Sequence, residues 1–166
     1  MTEDKSTAKA IRIFMKEQNL WKIPTPPQDV IPQENVSSQI VYNAVKCLVC
    51  NQTIVSHHQH DYVTCGCENE AMVDGGISYC RYGAVDMNKI TKITYTVDDP
   101  FDLVREFMSW GTYGKDGKAE LSYIKLKNMS DAHIRAVIAH RTSEWVKDLM
   151  RKELDYRAEF NISITD

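Results

Sequence analysis

Apolar positions along the 166-residue chain change period several times, and each change predicts a different element. In residues 6–20, "STAKAIRIFMKEQNL", Ile11, Phe14, Met15 and Leu20 fall near one stripe, which predicts a helix capped by Ser6 or Thr7. Pro24, Pro26, Pro27 and Pro32 then stop helical pairing and favour an extended connector. This divides the N-terminal part into a helix at 1–22 and a proline-rich linker at 23–39. From 40 to 86 the apolar runs are short ("TIVS", "DYVT", "AMVD") and bounded by cysteine, glycine and asparagine, which predicts short strands and tight turns. "KITKITYTV", residues 89–97, is rich in β-branched residues, and Ile93, Tyr95 and Val97 alternate as in a strand.

Residues 98–111, "DDPFDLVREFMSWG", predict a helix. Asp98 or Asp99 would cap it, Phe101, Val104, Phe107 and Met108 would share its inner face, and Gly111 would end it. "TYGKDGK" reads as a loop, and "ELSYIKLKNM" as strand or irregular chain. A helix capped by Ser130 follows, with Ile134, Val137 and Ile138 inward. The last helix starts after Thr142 or Ser143, with Trp145, Leu149 and Tyr156 on one side. The fold class is therefore α+β, with 87–166 as an α/β C-terminal part packed on the 40–86 element.

Composition adds bounds. A chain of this length buries a real core. No apolar run approaches a membrane span, and "MTEDKSTAKAIRIF" lacks the apolar centre of a signal peptide. The expectation is a cytoplasmic protein with no membrane partner. There thiols stay reduced and clustered cysteines read as metal ligands or redox groups. A net charge of −3 weakens a surface that coats nucleic acid, which needs lysine and arginine against phosphates.

The chemistry concentrates in "KCLVCNQTIVSHHQHDYVTCGCENEAMVDGG", residues 46–76. Cys47-x2-Cys50, fourteen residues, then Cys65-x-Cys67 supply four thiolates, the number a tetrahedral Zn²⁺ takes in a structural site. Gly66 would give the shorter second knuckle the backbone freedom it needs. A closed four-sulfur shell leaves no position for catalytic water, so the cofactor reading is structural zinc. Buried unligated cysteines and a redox Cys-x-x-Cys pair are the alternatives, the latter disfavoured because no helix continues from "CLVCNQTIVS". Cys80 has no knuckle partner and reads as a buried thiol.

His58 and His60, two apart, would share a strand face beside Asp61. They could form a catalytic pair, a second metal site, part of the zinc surroundings, or a polar cluster that orients a loop. His57 reads as exposed. Asp74-Gly75-Gly76 reads as a tight turn, with Tyr79 or Arg81 folding back on Asp61 or Asp74.

These residues resemble a small zinc-ribbon-like domain of unknown function found in short proteins of tailed phages and their bacterial hosts. The shared pattern comprises Lys46, Cys47 and Cys50, then Ser56, His58, His60, Asp61 and Tyr62, then Cys65, Cys67, Asp74, Gly75, Gly76, Tyr79 and Arg81. Asn51 and Glu68 stand where that pattern has glycines after each cysteine pair. Asn tolerates left-handed backbone well and Glu less so. The stretch from "WGTYGKDGK" to "ELDYR" is similar to the C-terminal part of such proteins, so the resemblance covers roughly 40–157. It implies a metal-stabilised, phage-encoded accessory protein without an assigned activity.

Three functions follow as expectations. The first is a non-enzymatic protein that binds a host or phage protein and modulates the host or its defence. Its N-terminal helix and Trp21 would contact a partner or a second copy, or pack on its own core. The second is a nucleic-acid-binding module using Lys89, Lys92, Lys115, Lys118, Lys125 and Lys127. The third is an enzyme in which His58, His60, Asp61 and Asp74 converge.

Overall fold

The computed structural model describes residues 38–140 and 142–165; the expected helix at 1–22 and nearly all of the linker at 23–39 lie outside them. The described chain is α+β, with eight strands and three α-helices.

The strands are β1 (Ile40–Cys47), β2 (Thr53–Ser56), β3 (Val63–Thr64), β4 (Met72–Gly76), β5 (Tyr79–Gly83), β6 (Ile90–Thr96), β7 (Ser109–Thr112) and β8 (Ser122–Lys125). The helices are α1 (Phe101–Phe107), α2 (Asp131–Ala139) and α3 (Glu144–Phe160). All sheet pairings are antiparallel. They form one sheet ordered β2-β1-β6, a second ordered β3-β4-β5, and the hairpin β7-β8.

The central strand β1 explains the layering. Alternate side chains leave opposite faces of a strand. Val45 and Cys47 join Ile54, Cys65, Ala71, Val73 and Ala84 in a small core between the first two sheets. Tyr42, on the opposite face, meets Tyr95 of β6 and Phe107 of α1, with ring centroids 6.0 and 5.0 Å away. A register shift between Ile40 and Tyr42 marks a bulge at the open end of the β1–β6 pair.

The larger core lies among the helices: Val104, Met108, Leu126, Met129, Ile134, Val137, Val146, Leu149 and Met150, with Trp110 and Trp145 packed against it. Its helices follow the 3.6-residue period of the sequence. Ser130 caps α2, its Oγ accepting from the His133 N–H at 3.2 Å.

Two local expectations change. The first C-terminal helix ends at Phe107 rather than Gly111, because residues 109–112 gain a partner in β8. Its N-cap is Pro100; Asp99 turns back instead and accepts from the Thr96 N–H at 2.7 Å. The stretch "ELSYIKLKNM" resolves into β8 followed by a 3₁₀ turn at Leu126–Asn128.

A buried ion network ties α1, the 3₁₀ turn and α3 together. Glu153 and Arg157, both essentially without solvent exposure, sit on the face of α3 that points into the core. Arg157 donates from Nε to Glu153 at 2.8 Å, from Nη1 to Met129 O and Asp131, and from Nη2 to Leu126 O and Lys127 O. Arg105 reaches the same carboxylate through Nε and Nη2, each at 2.8 Å, and lies 4.2 Å over the Tyr156 ring. Each buried donor of Arg157 is answered, the condition under which a buried charge is tolerated.

Among the described residues no helix is long and apolar enough to cross a membrane.

Candidate metal centre

Two hairpin ends bring the four cysteines together. Cys47 closes β1, and the chain turns through 48–50 before the Cys47 N–H donates to Gln52 O at 2.9 Å. Asn51 adopts φ 61°, the left-handed conformation that asparagine accepts more readily than most residues. The second knuckle follows β3. There Cys65 N–H donates to Ala71 O and Glu70 N–H to Cys67 O, both at 2.9 Å.

The left-handed position in this knuckle is Glu70 and not Glu68, the residue that stands in a glycine's place. Glu68 has an ordinary φ, whereas Glu70 takes φ 44°. Gly66 has no positive φ, and a Cβ there would meet nothing within 4 Å, so the turn does not depend on it.

Cys67 Sγ lies 3.6 Å from Cys47 Sγ and 3.5 Å from Cys65 Sγ, and all four sulfurs lie within 4.8 Å of one another. A disulfide would require about 2.05 Å. A tetrahedron with metal–sulfur bonds of about 2.3 Å has edges of about 3.8 Å, close to these separations. The donor set therefore fits a tetrahedral thiophilic ion such as zinc. Cys47 and Cys65 are buried, Cys67 is half-buried and Cys50 is exposed.

Electrostatics within the cluster agree with that use. The Cys50 backbone N–H, with a further bond from the Val49 N–H and thiol hydrogen bonds, draws the Cys47 pKa down to about 6 against the opposing effect of burial. At Cys67 the Asn69 backbone N–H also lowers the pKa. Burial and the adjoining Cys65, Cys47 and Cys50 thiols outweigh it and push the value up to about 12. Four sulfurs this close share their protons: one thiolate forms readily and its neighbours resist following. A bound dication supplies the positive charge that lets all four ionise.

Asn69 carries no metal-ligand chemistry of its own and was missed in the sequence. It is 3% exposed, and its Nδ2 donates to Cys47 Sγ at 3.9 Å. The short spacing from Cys67 was its only sequence signal.

The polar residues of the shared motif separate into local pairs. His58 and His60 do not share a strand face, because β2 ends at Ser56 and the chain turns through 58–60, with His60 at φ 65°. Asp61 accepts from the His57 backbone N–H at 2.7 Å. His58 Nδ1 lies 2.9 Å from Gln59 O, and His60 Nδ1 lies 3.1 Å from the Tyr79 hydroxyl. Asp74 is buried on β4 and pairs with Arg81 directly across on β5. His57, though exposed overall, stacks its ring on Tyr123 at 3.8 Å with Nδ1 3.1 Å from Ser109 Oγ. Burial of that ring pushes its pKa down. Cys80 lies half-buried on β5, outside the four-sulfur cluster.

Asp74-Gly75-Gly76 is the end of β4 and not a turn; the turn is Ile77-Ser78. Gly75 is required there: at φ 93°, a Cβ would come within 2.4 Å of Tyr79 O. Its carbonyl accepts from Asn43 Nδ2 at 2.9 Å and Ser56 Oγ at 2.8 Å, which joins the two sheets through buried polar groups.

Beyond the end of the sheets away from the cysteines lies a groove of about 570 Å³. Its walls include Ile77, Trp110, Tyr123 and Trp145, and none of its described lining residues is Asp, Glu, Lys or Arg.

Comparison with curated proteins and with solved structures found no match. Residues 39–84, from the start of β1 to the end of the small core and enclosing all four cysteines, match the model of a family described as a domain of unknown function, DUF7695.

Proposed function

We propose that this chain is a zinc-stapled, non-enzymatic binding protein whose partner is another protein. The carrying observation is the convergence of four cysteine sulfurs within 4.8 Å, a ligand set that closes the metal's shell. A closed shell fixes loops and leaves no open coordination position for chemistry. The candidate acid–base residues support the same reading, since His58, His60, Asp61 and Asp74 each have a separate local partner.

The uncharged groove supports a polypeptide partner, specifically an apolar segment without charged side chains at the contact. Ile77 adds a second argument. It is β-branched, holds φ 62° and is 42% exposed on the groove wall. Such a conformation costs about 1–3 kcal/mol, and although the Ile77 carbonyl accepts from Ile40 N–H, much of its side chain stays exposed. Its side chain is better explained by a contact outside the chain. From the resemblance to phage-borne domains, we take the partner to be a host or phage protein, with modulation of the host or its defence as the outcome.

A nucleic-acid partner is less well supported. Residues 40–86 carry Lys46 and Arg81 against Asp61, Glu68, Glu70, Asp74 and Asp86, and four bound thiolates would add about −2. Lys125 and Lys127 are paired with Glu106.

The test is affinity capture from bacterial host lysate, with and without nuclease treatment, using the full chain and Ile77→Asp, a residue that tolerates the turn but charges the groove. One stoichiometric protein retained by the first and lost by the second is expected. Equal retention by both, or loss on nuclease treatment, overturns the reading.

A further inference from the structure

Asn69 sits where three segments meet, and its side-chain amide and its carbonyl are both engaged. It lies two residues past Cys67, at the end of the second knuckle, where Glu70 N–H donates to Cys67 O at 2.9 Å. Its Nδ2 donates to Cys47 sulfur, in the first. Its backbone carbonyl accepts from Val85 N–H at 2.9 Å. Its side-chain amide also pairs with the Asp86 peptide, Oδ1 accepting from the Asp86 N–H at 2.8 Å and Nδ2 donating to Asp86 O at 3.4 Å. This is the segment that returns the chain to β6, and Lys89 O accepts there from Leu48 N–H at 2.8 Å beside the first knuckle.

A neutral buried amide is suited to this place. A thiolate that binds metal carries more electron density than a thiol, and an N–H aimed at the sulfur removes some of it. Groups that hold and polarise a ligand commonly change metal affinity by about 10–100-fold when lost. Leucine or alanine would offer no donor, aspartate would offer an acceptor and a negative charge, and lysine would have to bury its own charge.

We propose that Asn69 is the positioning residue of the metal centre: from the second knuckle its side-chain amide donates to Cys47 sulfur of the first and pairs with the Asp86 peptide, and so ties both knuckles to the segment leading into β6. This rests on the zinc reading above. Asn69 touches a sulfur and not the ion, so its removal leaves four ligands in place but less well oriented and more electron-rich.

The experiment compares the full chain with Asn69→Ala and Asn69→Asp, the latter retaining the acceptor for Asp86 N–H should the alanine variant fail to fold. Zinc affinity is read by competition with a chromophoric chelator, and cobalt(II) spectra are recorded at saturating metal. The wild-type chain takes up one ion; failure to do so removes the zinc reading itself, and the proposal with it. With wild-type uptake established, the variants still bind one ion, about 10–100-fold more weakly. Their thiolate-to-cobalt charge-transfer band moves to lower energy. A residue that only supports the fold would leave the spectrum of the saturated, folded protein unchanged. Affinity within twofold of wild type with an unshifted band overturns the role of Asn69 and leaves the metal centre standing.

Discussion

The two cores of this protein are held in different ways. The one between the first two sheets contains Val45, Ile54, Val73 and two alanines, and its other members are Cys47 and Cys65, themselves candidate metal ligands. The one among the helices contains nine buried apolar residues and is braced by Arg105, Glu153 and Arg157. A small core buries little apolar area to hold short strands, and an ion held by the four cysteines would add what is missing. A larger core needs no ion and tolerates a buried charge network because its donors and acceptors are matched. On the proposed reading the cysteine module would depend on a ligand set and the helical part on packing, although β6 pairs with β1 in a single sheet.

That contrast is broken most sharply by removing metal. Chelation, or Cys47→Ser, should cost the cysteine module on the order of 10 kcal/mol. Amides in β1–β5 should then exchange rapidly while the α2–α3 helices keep their protection. Uniform protection after verified metal removal would show that the small core stands alone.

The reciprocal test is Glu153→Ala. It leaves Arg157 and Arg105 without their shared carboxylate, and about 3–5 kcal/mol of stability should be lost in urea unfolding. Metal stoichiometry should stay at the wild-type value. A loss below 1 kcal/mol would mean that the network contributes little to the helical part.

Ile77→Gly acts in the opposite direction. Relieving the left-handed isoleucine should raise stability by about 1 kcal/mol while removing the groove contact. Chemical denaturation reads the first effect and partner capture the second; a destabilised variant would show that Ile77 serves its own fold after all.

The smallest effect is expected at the surface. Lys125 and Lys127 hold the Glu106 pKa down to about 2. A carboxylate with a depressed pKa stabilises the folded state above its ordinary pKa of about 4.5, and the contribution disappears as pH falls through about 2. Glu106→Gln should therefore lower the thermal midpoint slightly at neutral pH, less so at high salt, and not at all below pH 2. A drop that persists at the acid end would point to packing as its cause.

The helices at 131–139 and 144–160 were legible because apolar residues repeat every three or four positions and a serine precedes each. The strand at 90–96 was legible from its β-branched alternation. In the candidate metal centre, paired cysteines at close spacing marked both knuckles, since two sulfurs a few residues apart can only converge if the chain turns. The hairpin β7-β8 was not legible: "SWGT" gains strand geometry from its partner and reads as a helix end without it.

What the sequence determined by itself was local: helical and extended periods, caps, the cysteine spacing and an excess of acid over base in residues 40–86. Only tertiary structure decided that Glu153 and Arg157 are buried, that Asn69 spans both knuckles, that Gly75 yields to the Tyr79 carbonyl, and that Ile77 bears a strained turn on an uncharged groove. The burial of Glu153 and Arg157 and the reach of Asn69 to Cys47 depend on residues distant along the chain, while Gly75 and Ile77 take their strain from how the β4–β5 hairpin closes. A charge at helical spacing looks solvated until another element arrives to bury it, and an asparagine beside a cysteine looks like a turn residue until a second sulfur comes within reach of its amide.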